Sequence, residues 1–138
     1  MDYKQLIEIA FEVRENGYAP YSGFKSGVAL LAKNGEVFTG CTVEVASFTP
    51  SVSAVQSAFA NALSNGIRQF SAIAIVGGVD EMIFDYCPPD GVARQVIQEF
   101  CSQIDFDVIL AKSRVDYSVY SFFDLFPLPF TKKNIIGN

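Results

Sequence analysis

Between Tyr3 and Glu15 the apolar residues Leu6, Ile9, Ala10 and Val13 recur at i, i+3, i+4 and i+7. That spacing gathers side chains on one helical face, and Asn16-Gly17 predicts where the helix stops. The stretch YAPYSGFKSG (18–27) is rich in Pro, Ser and Gly and predicts a loop. It leads into the apolar run Val28 to Ala32, the turn KNGE (33–36) and a second run from Val37 to Val43. Asn34-Gly35 between two such runs predicts a hairpin, because both residue types tolerate positive φ.

Ser51 or Ser53 predicts the cap of a second helix reaching about Asn65, ended by Gly66, with Val52, Val55, Phe59 and Leu63 on one stripe. SAIAIVGG (71–78) is wholly apolar before its glycines, as a strand buried on both faces would be. Asp90 predicts the cap of a third helix running through Cys101, with Ala93, Val96, Ile97 and Phe100 apolar. FDVILA (106–111) predicts another buried strand, Val115 to Tyr120 a last one, and SFFDLFP (121–127) a short helix. Helices alternating with buried strands predict an α/β fold, a three-layer α/β/α sandwich around a mixed sheet. No repeat, low-complexity tract or linker divides the chain, so one domain over residues 1–138 is expected.

Composition adds three restrictions. Half the residues are hydrophobic and 13 are phenylalanine, enough for a core and for a subunit surface. The net charge is −5 and the ten basic residues are scattered, which argues against a nucleic-acid partner. There is neither a basic-then-apolar leader nor an unbroken apolar run of about 18 residues, so the expectation is a cytoplasmic protein with no membrane association. The three cysteines are too few and too far apart for a disulfide framework and read as reduced thiols.

The block YAPYSGFKSGVALLAKNGEVFTGCTVEVAS (18–47), with ARQVIQEF (93–100) and DLFPLPF (124–130), resembles the small homotetrameric cytidine deaminases, in one register over nearly the whole chain. The resemblance implies a cytidine deaminase-like fold, a homotetramer and two helix starts that hold zinc. In that family one helix begins Cys-Ala-Glu-Arg and another Pro-Cys-x-x-Cys-Arg-Gln. Three thiolates bind the metal, the metal supplies hydroxide and the glutamate moves protons. At the matching positions this chain has Ser53-Ala54-Val55-Gln56 and Pro89-Asp90-Gly91-Val92-Ala93-Arg94-Gln95. Ser53, Asp90 and Ala93 stand where the sulfurs would be, and Val55 where the glutamate would be. Zinc lowers the pKa of bound water from about 15.7 to about 7, at most roughly eight powers of ten in hydroxide. A general acid/base contributes about 10²–10⁴ more. The expectation is therefore no zinc, no cofactor and no catalytic residue of the family kind.

Gln56 fits that expectation, since a cation beside two helix N-termini is unfavourable once thiolates no longer offset it. A relocated metal site built from Cys87, Asp90 and Ser53 falls short, because zinc wants at least three strong ligands and the chain has no histidine. Asp90 and Ser53 read more simply as N-caps. Cys41 and Cys101 are expected in or near the core, and Cys87 in a loop.

Part of the family's ligand pocket is matched. The resemblance places Phe24 as the ring on which a pyrimidine stacks, Thr42 and Glu44 as the pair that grips ribose, and Ala54 beside them. It places Phe48 and Phe130 at subunit contacts, and leaves Arg94 and Gln95 to helix packing or a subunit contact. Thr42 replaces an asparagine but keeps a hydroxyl, whereas Val45 removes a second hydrogen-bonding group. Against each stands a plainer role: Phe24, Phe48 and Phe130 as packing side chains, Glu44 as a solvated carboxylate. Two helix N-termini converging on the emptied cavity would favour water or a small polar or anionic ligand head.

The functional expectation is a catalytically inactive cytidine deaminase homologue, a pseudoenzyme with a weak nucleoside-like pocket that acts as a binding or partner protein. Two alternatives stay open: a zinc-independent enzyme of another class in the same cavity, or a structural subunit that co-assembles with an active deaminase.

Overall fold

The computed structural model describes residues 1–79 and 85–137. Its elements are α1 (Tyr3–Arg14), β1 (Phe24–Ala32), β2 (Val37–Cys41), α2 (Ala54–Ser64), β3 (Phe70–Val79), α3 (Gly91–Phe100), β4 (Asp107–Ala111), β5 (Tyr117–Ser121), α4 (Phe122–Leu125) and α5 (Lys133–Ile136). The five strands form one mixed sheet in the order β2-β1-β3-β4-β5. β3 and β4 are parallel, joined across α3, and the other neighbours are antiparallel. This is the expected α/β fold; α5, which buries none of its residues, was not anticipated from the sequence.

Two apolar layers flank the sheet. Leu6, Ile7 and Ala10 of α1 pack with Ala29, Leu31, Ala74 and Val76 on one face. On the other face Ala58 and Phe59 of α2 and Ile97 of α3 pack with Val28, Leu30, Ile73 and Val108. The helical stripe of α1 is rotated from the expected one. Ile7 and Arg14 are buried, while Ile9 and Val13 are only half-buried.

Arg14 explains the rotation. Its Nε donates to the Lys25 carbonyl at 3.1 Å and its guanidinium also reaches the Gly78 carbonyl at 2.8 Å. A charged group satisfied by buried carbonyls can replace an apolar side chain on the inner face. Close approach permits it, because a methyl on Gly27 would lie 2.2 Å from the Ala10 carbonyl oxygen.

The hairpin forms where expected but by a different turn. Only Gly35 takes positive φ, at 92°. Asn34 instead accepts from the Glu36 amide at 2.9 Å, and Gly35 N donates to the Ala32 carbonyl at 3.0 Å. A turn followed by one left-handed glycine is the three-residue hairpin solution.

Candidate functional site

A cleft of about 690 Å³ opens where α2 and α3 begin, between the end of β2 and the loop leading into β1. Its deep wall is apolar: Val28, Ala54, Val55, Ile75 and Ala93 all line it and are all buried. Its mouth carries the exposed rings of Phe24 and Phe48. The volume lies within the roughly 300–1,000 Å³ usual for small-molecule sites.

Both helix starts are closed by the chain's own oxygens. Ser53, rather than Ser51, caps α2: its Oγ accepts from Gln56 N at 3.1 Å, and Gln56 Oε1 accepts from Ser53 N at 3.2 Å. This is a capping box. Its Ser-x-x-Gln signature was present in the sequence and assigns Gln56 a role that charge balance alone did not reveal. Asp90 caps α3, with Oδ1 accepting from Ala93 N at 2.8 Å. Ser51 sits farther back, where its Oγ accepts from Val45 N. Val55 and Ala93 present hydrocarbon to the cleft. Among the described residues no three His, Cys, Asp or Glu side chains come together as a metal-holding group.

Glu44 and Thr42 line the cleft, but beyond β2, which ends at Cys41. The chain stays extended there because Val43 forms isolated bridges with Tyr18 and Val52. Glu44 is buried rather than solvated, and its carboxylate accepts from Tyr21 N, Ser22 N and Ser22 Oγ at 3.1, 3.1 and 2.5 Å. These bonds, the Ser22 hydroxyl first, hold its carboxyl below the usual carboxylate range against the opposing effect of burial. Ser22 Oγ in turn accepts from Phe24 N at 3.0 Å. Thr42 Oγ1 accepts from Ser26 N at 2.8 Å and pairs with Ser26 Oγ. Ser22 and Ser26 thus organise the site although nothing in the sequence distinguished them from ordinary loop serines.

Cys87 lies on a loop but lines the cleft, half-buried. A methyl on Gly77 would come within 2.7 Å of its Sγ and 3.1 Å of the Phe24 ring, so both side chains rest on the bare backbone of β3. Burial, and then the Asp90 carboxylate, push the Cys87 thiol up. Burial alone pushes up Cys101. Cys41, the third thiol, is half-buried on β2.

Phe48 and Phe130 lie outside the apolar core. Phe48 has φ 57° and packs edge-on to Tyr21 with ring centroids 5.7 Å apart. Phe130 is exposed, and its carbonyl accepts from Gln95 Nε2 at 2.9 Å. Arg94 ties the start of α3 to the chain around α4, donating to the carbonyls of Pro89 and Leu125.

Residues 1–80 match the family model of the cytidine and deoxycytidylate deaminase zinc-binding region. The cytidine deaminase of Sporosarcina psychrophila is 35% identical over 98% of this chain and 96% of its own. That of Halalkalibacterium halodurans is 36% identical over 98% of each. The crystal structure of cytidine deaminase from Burkholderia pseudomallei superposes with a TM-score of 0.85 at 40% identity, covering 94% of this chain and 100% of that one. The Mycobacterium tuberculosis enzyme gives 0.79 at 28%, over 94% and 98%. With more than half the chain matching the family model and nearly all of it matching these relatives in sequence and fold, the chain belongs to the cytidine and deoxycytidylate deaminase family.

Proposed function

We propose that this chain is a catalytically inactive cytidine deaminase homologue, one domain over residues 1–138, whose cleft binds a nucleoside-like or small polar ligand in a binding or partner role. The observation that carries the reading is the double closure of the helix starts. Ser53 Oγ and Asp90 Oδ1 are committed to backbone amides, and Val55 and Ala93 have no donor atom. Among the described residues no three His, Cys, Asp or Glu side chains gather there, so the set does not fit zinc. No side chain at position 55 can carry a proton.

Zinc analysis of the purified protein, paired with a uridine-forming assay on cytidine, tests the reading. Substoichiometric zinc and no turnover are expected; stoichiometric zinc with turnover that a chelator abolishes would overturn it. A zinc-independent enzyme of another class in this cleft draws no support from Glu44 or Cys87. A general acid near neutral pH needs a raised carboxyl pKa, and Glu44 is shifted the other way. A nucleophilic thiol needs a lowered pKa, and Cys87 is shifted up. The exposed rings of Phe48 and Phe130 support a homo-oligomer, tetrameric by the family resemblance, or a co-assembly with an active deaminase. Sedimentation of the protein alone and mixed with an active cytidine deaminase distinguishes the two.

A further inference from the structure

Asparagine precedes glycine at Asn16-Gly17, Asn34-Gly35 and Asn65-Gly66. In such a pair the glycine backbone nitrogen can attack the asparagine side-chain amide carbon, because glycine has no side chain to crowd the approach. The three glycine amides are held alike: Gly17 N donates to the Arg14 carbonyl at 2.9 Å, Gly35 N to that of Ala32 at 3.0 Å and Gly66 N to that of Leu63 at 3.0 Å. The asparagine side chains are not. Both ends of the Asn34 amide are bonded to Glu36, with Nδ2 donating to Oε1 at 2.8 Å and Oδ1 accepting from the backbone N at 2.9 Å. Asn65 Nδ2 donates to the Asn61 carbonyl at 2.9 Å, one turn back along α2. Asn16 is exposed, and its amide has no hydrogen-bond partner among the described residues.

We propose that Asn16 is a self-modification site, the member of this set that deamidates in the folded protein, and that its conversion loosens the 18–24 loop. Gly17 N gives up its proton and attacks Asn16 Cγ. The new N–Cγ bond closes a cyclic succinimide, and the side-chain nitrogen takes up a proton and leaves as ammonia. Water then opens the ring at either carbonyl. One opening leaves an aspartyl side chain on an unchanged backbone; the other leaves an isoaspartyl linkage, in which the backbone runs through Cβ and is one atom longer. Both products carry an added negative charge. Asn34 and Asn65 must first break the bonds that orient their amides, which slows them on the order of tenfold. The position of Asn16 makes the longer backbone costly. Before it, Arg14 is fixed to the carbonyls of Lys25 and Gly78. After it, Tyr18 N donates to the Thr42 carbonyl at 2.8 Å, and the Tyr18 carbonyl accepts from Glu44 N at 2.8 Å. Gly17 between these anchors has little spare room, since a methyl on it would lie 3.1 Å from the Arg14 carbonyl oxygen and 3.3 Å from Lys25 Cβ. An added atom therefore displaces Tyr18, and with it the loop whose Tyr21 and Ser22 amides hold Glu44.

The test incubates native and urea-denatured protein side by side in warm, mildly alkaline buffer and maps the products by mass spectrometry of tryptic peptides. Trypsin places Asn16 in peptide 15–25 and both other asparagines in peptide 34–68, where fragmentation tells them apart. In the native protein Asn16 is expected to convert at close to its denatured rate, and Asn34 and Asn65 about tenfold more slowly than theirs. A native Asn16 slowed as much as the other two, or overtaken by either, overturns the assignment. The isoaspartyl form is then separated chromatographically and its urea midpoint compared with that of Asn16→Asp, which adds the charge without lengthening the backbone. The isoaspartyl form is expected to unfold at lower urea, while Asn16→Gln, whose longer side chain closes the ring poorly, keeps its midpoint through the same incubation. Equal midpoints for the isoaspartyl form and Asn16→Asp, or an equal loss in Asn16→Gln, overturn the loosening of the loop.

Discussion

Ser53 and Gln56, both lining the cleft, hold each other, each side chain bonded to the other's backbone amide. The start of α2 is thereby closed on its own side chains. Ser53→Ala removes one half of this pair and is expected to cost about 1 kcal/mol of folding stability. Asp90→Ala, which removes the cap of α3, is expected to cost a similar amount, within about 0.5–2 kcal/mol. Urea denaturation measures both. Neither the variants nor wild type should shift on adding zinc or a chelator, and a zinc-dependent midpoint would contradict the assignment.

Two glycines should respond to alanine for different reasons. A methyl on Gly40 would lie 2.3 Å from both the Ala54 carbonyl oxygen and the Ala58 amide nitrogen, so α2 must move off the sheet. Gly40→Ala is expected to lose about 3 kcal/mol or to fail to accumulate as soluble protein. Gly35 has open space around it but φ of 92°, so Gly35→Ala should cost only about 1–2 kcal/mol, from backbone strain. Comparing the two midpoints in urea separates packing from conformation.

Glu44 should make stability depend on acid pH. Its carboxyl is lowered in the folded state, so ionised Glu44 favours folding at pH above the unfolded value of about 4.3. That contribution is lost as pH falls through the folded value. Wild type should therefore lose stability below about pH 4.3 more steeply than Glu44→Gln, whose side chain does not titrate. Urea midpoints collected between neutral and acid pH provide the comparison, and parallel profiles for the two proteins would show that Glu44 does not anchor the 21–24 loop through its charge.

The thiols should be sluggish. Cys87 and Cys101 are both shifted upward, so at pH 8 each has less thiolate than a free cysteine. Disulfide-exchange labelling of native protein is expected to modify both more slowly than a model thiol, with denaturant restoring ordinary rates. Rapid labelling of Cys87 in the native protein would argue that its loop opens.

Much of this site was legible before any coordinates, because it is written in local chemistry. Ser53-Ala54-Val55-Gln56 and Pro89-Asp90 announce helix starts through residue types that bond their own third amide. That positions 53, 90 and 93 hold Ser, Asp and Ala rather than cysteine is read directly from the sequence. That Glu44 is buried and hydrogen-bonded rather than solvated was not legible, because a carboxylate near a strand end looks alike in sequence in either state. Its three donors come from Tyr21 and Ser22, more than twenty positions away, and only the closing of the 18–24 loop onto the chain after β2 brings them together. Arg14 escaped for a similar reason, since its carbonyl partners lie on two different strands.

The sequence alone determined the order and type of the main elements, the hairpin at Asn34-Gly35 and the two capped helix starts. Each follows from periodicity or from contacts within a few residues. Tertiary structure decided which carboxylate is buried, which arginine replaces an apolar side chain, and that the two caps and Glu44 share one cleft. Those facts depend on the close approach of helices to the sheet at Gly27 and Gly40 and on strand order, and neither is encoded in any local stretch of the chain.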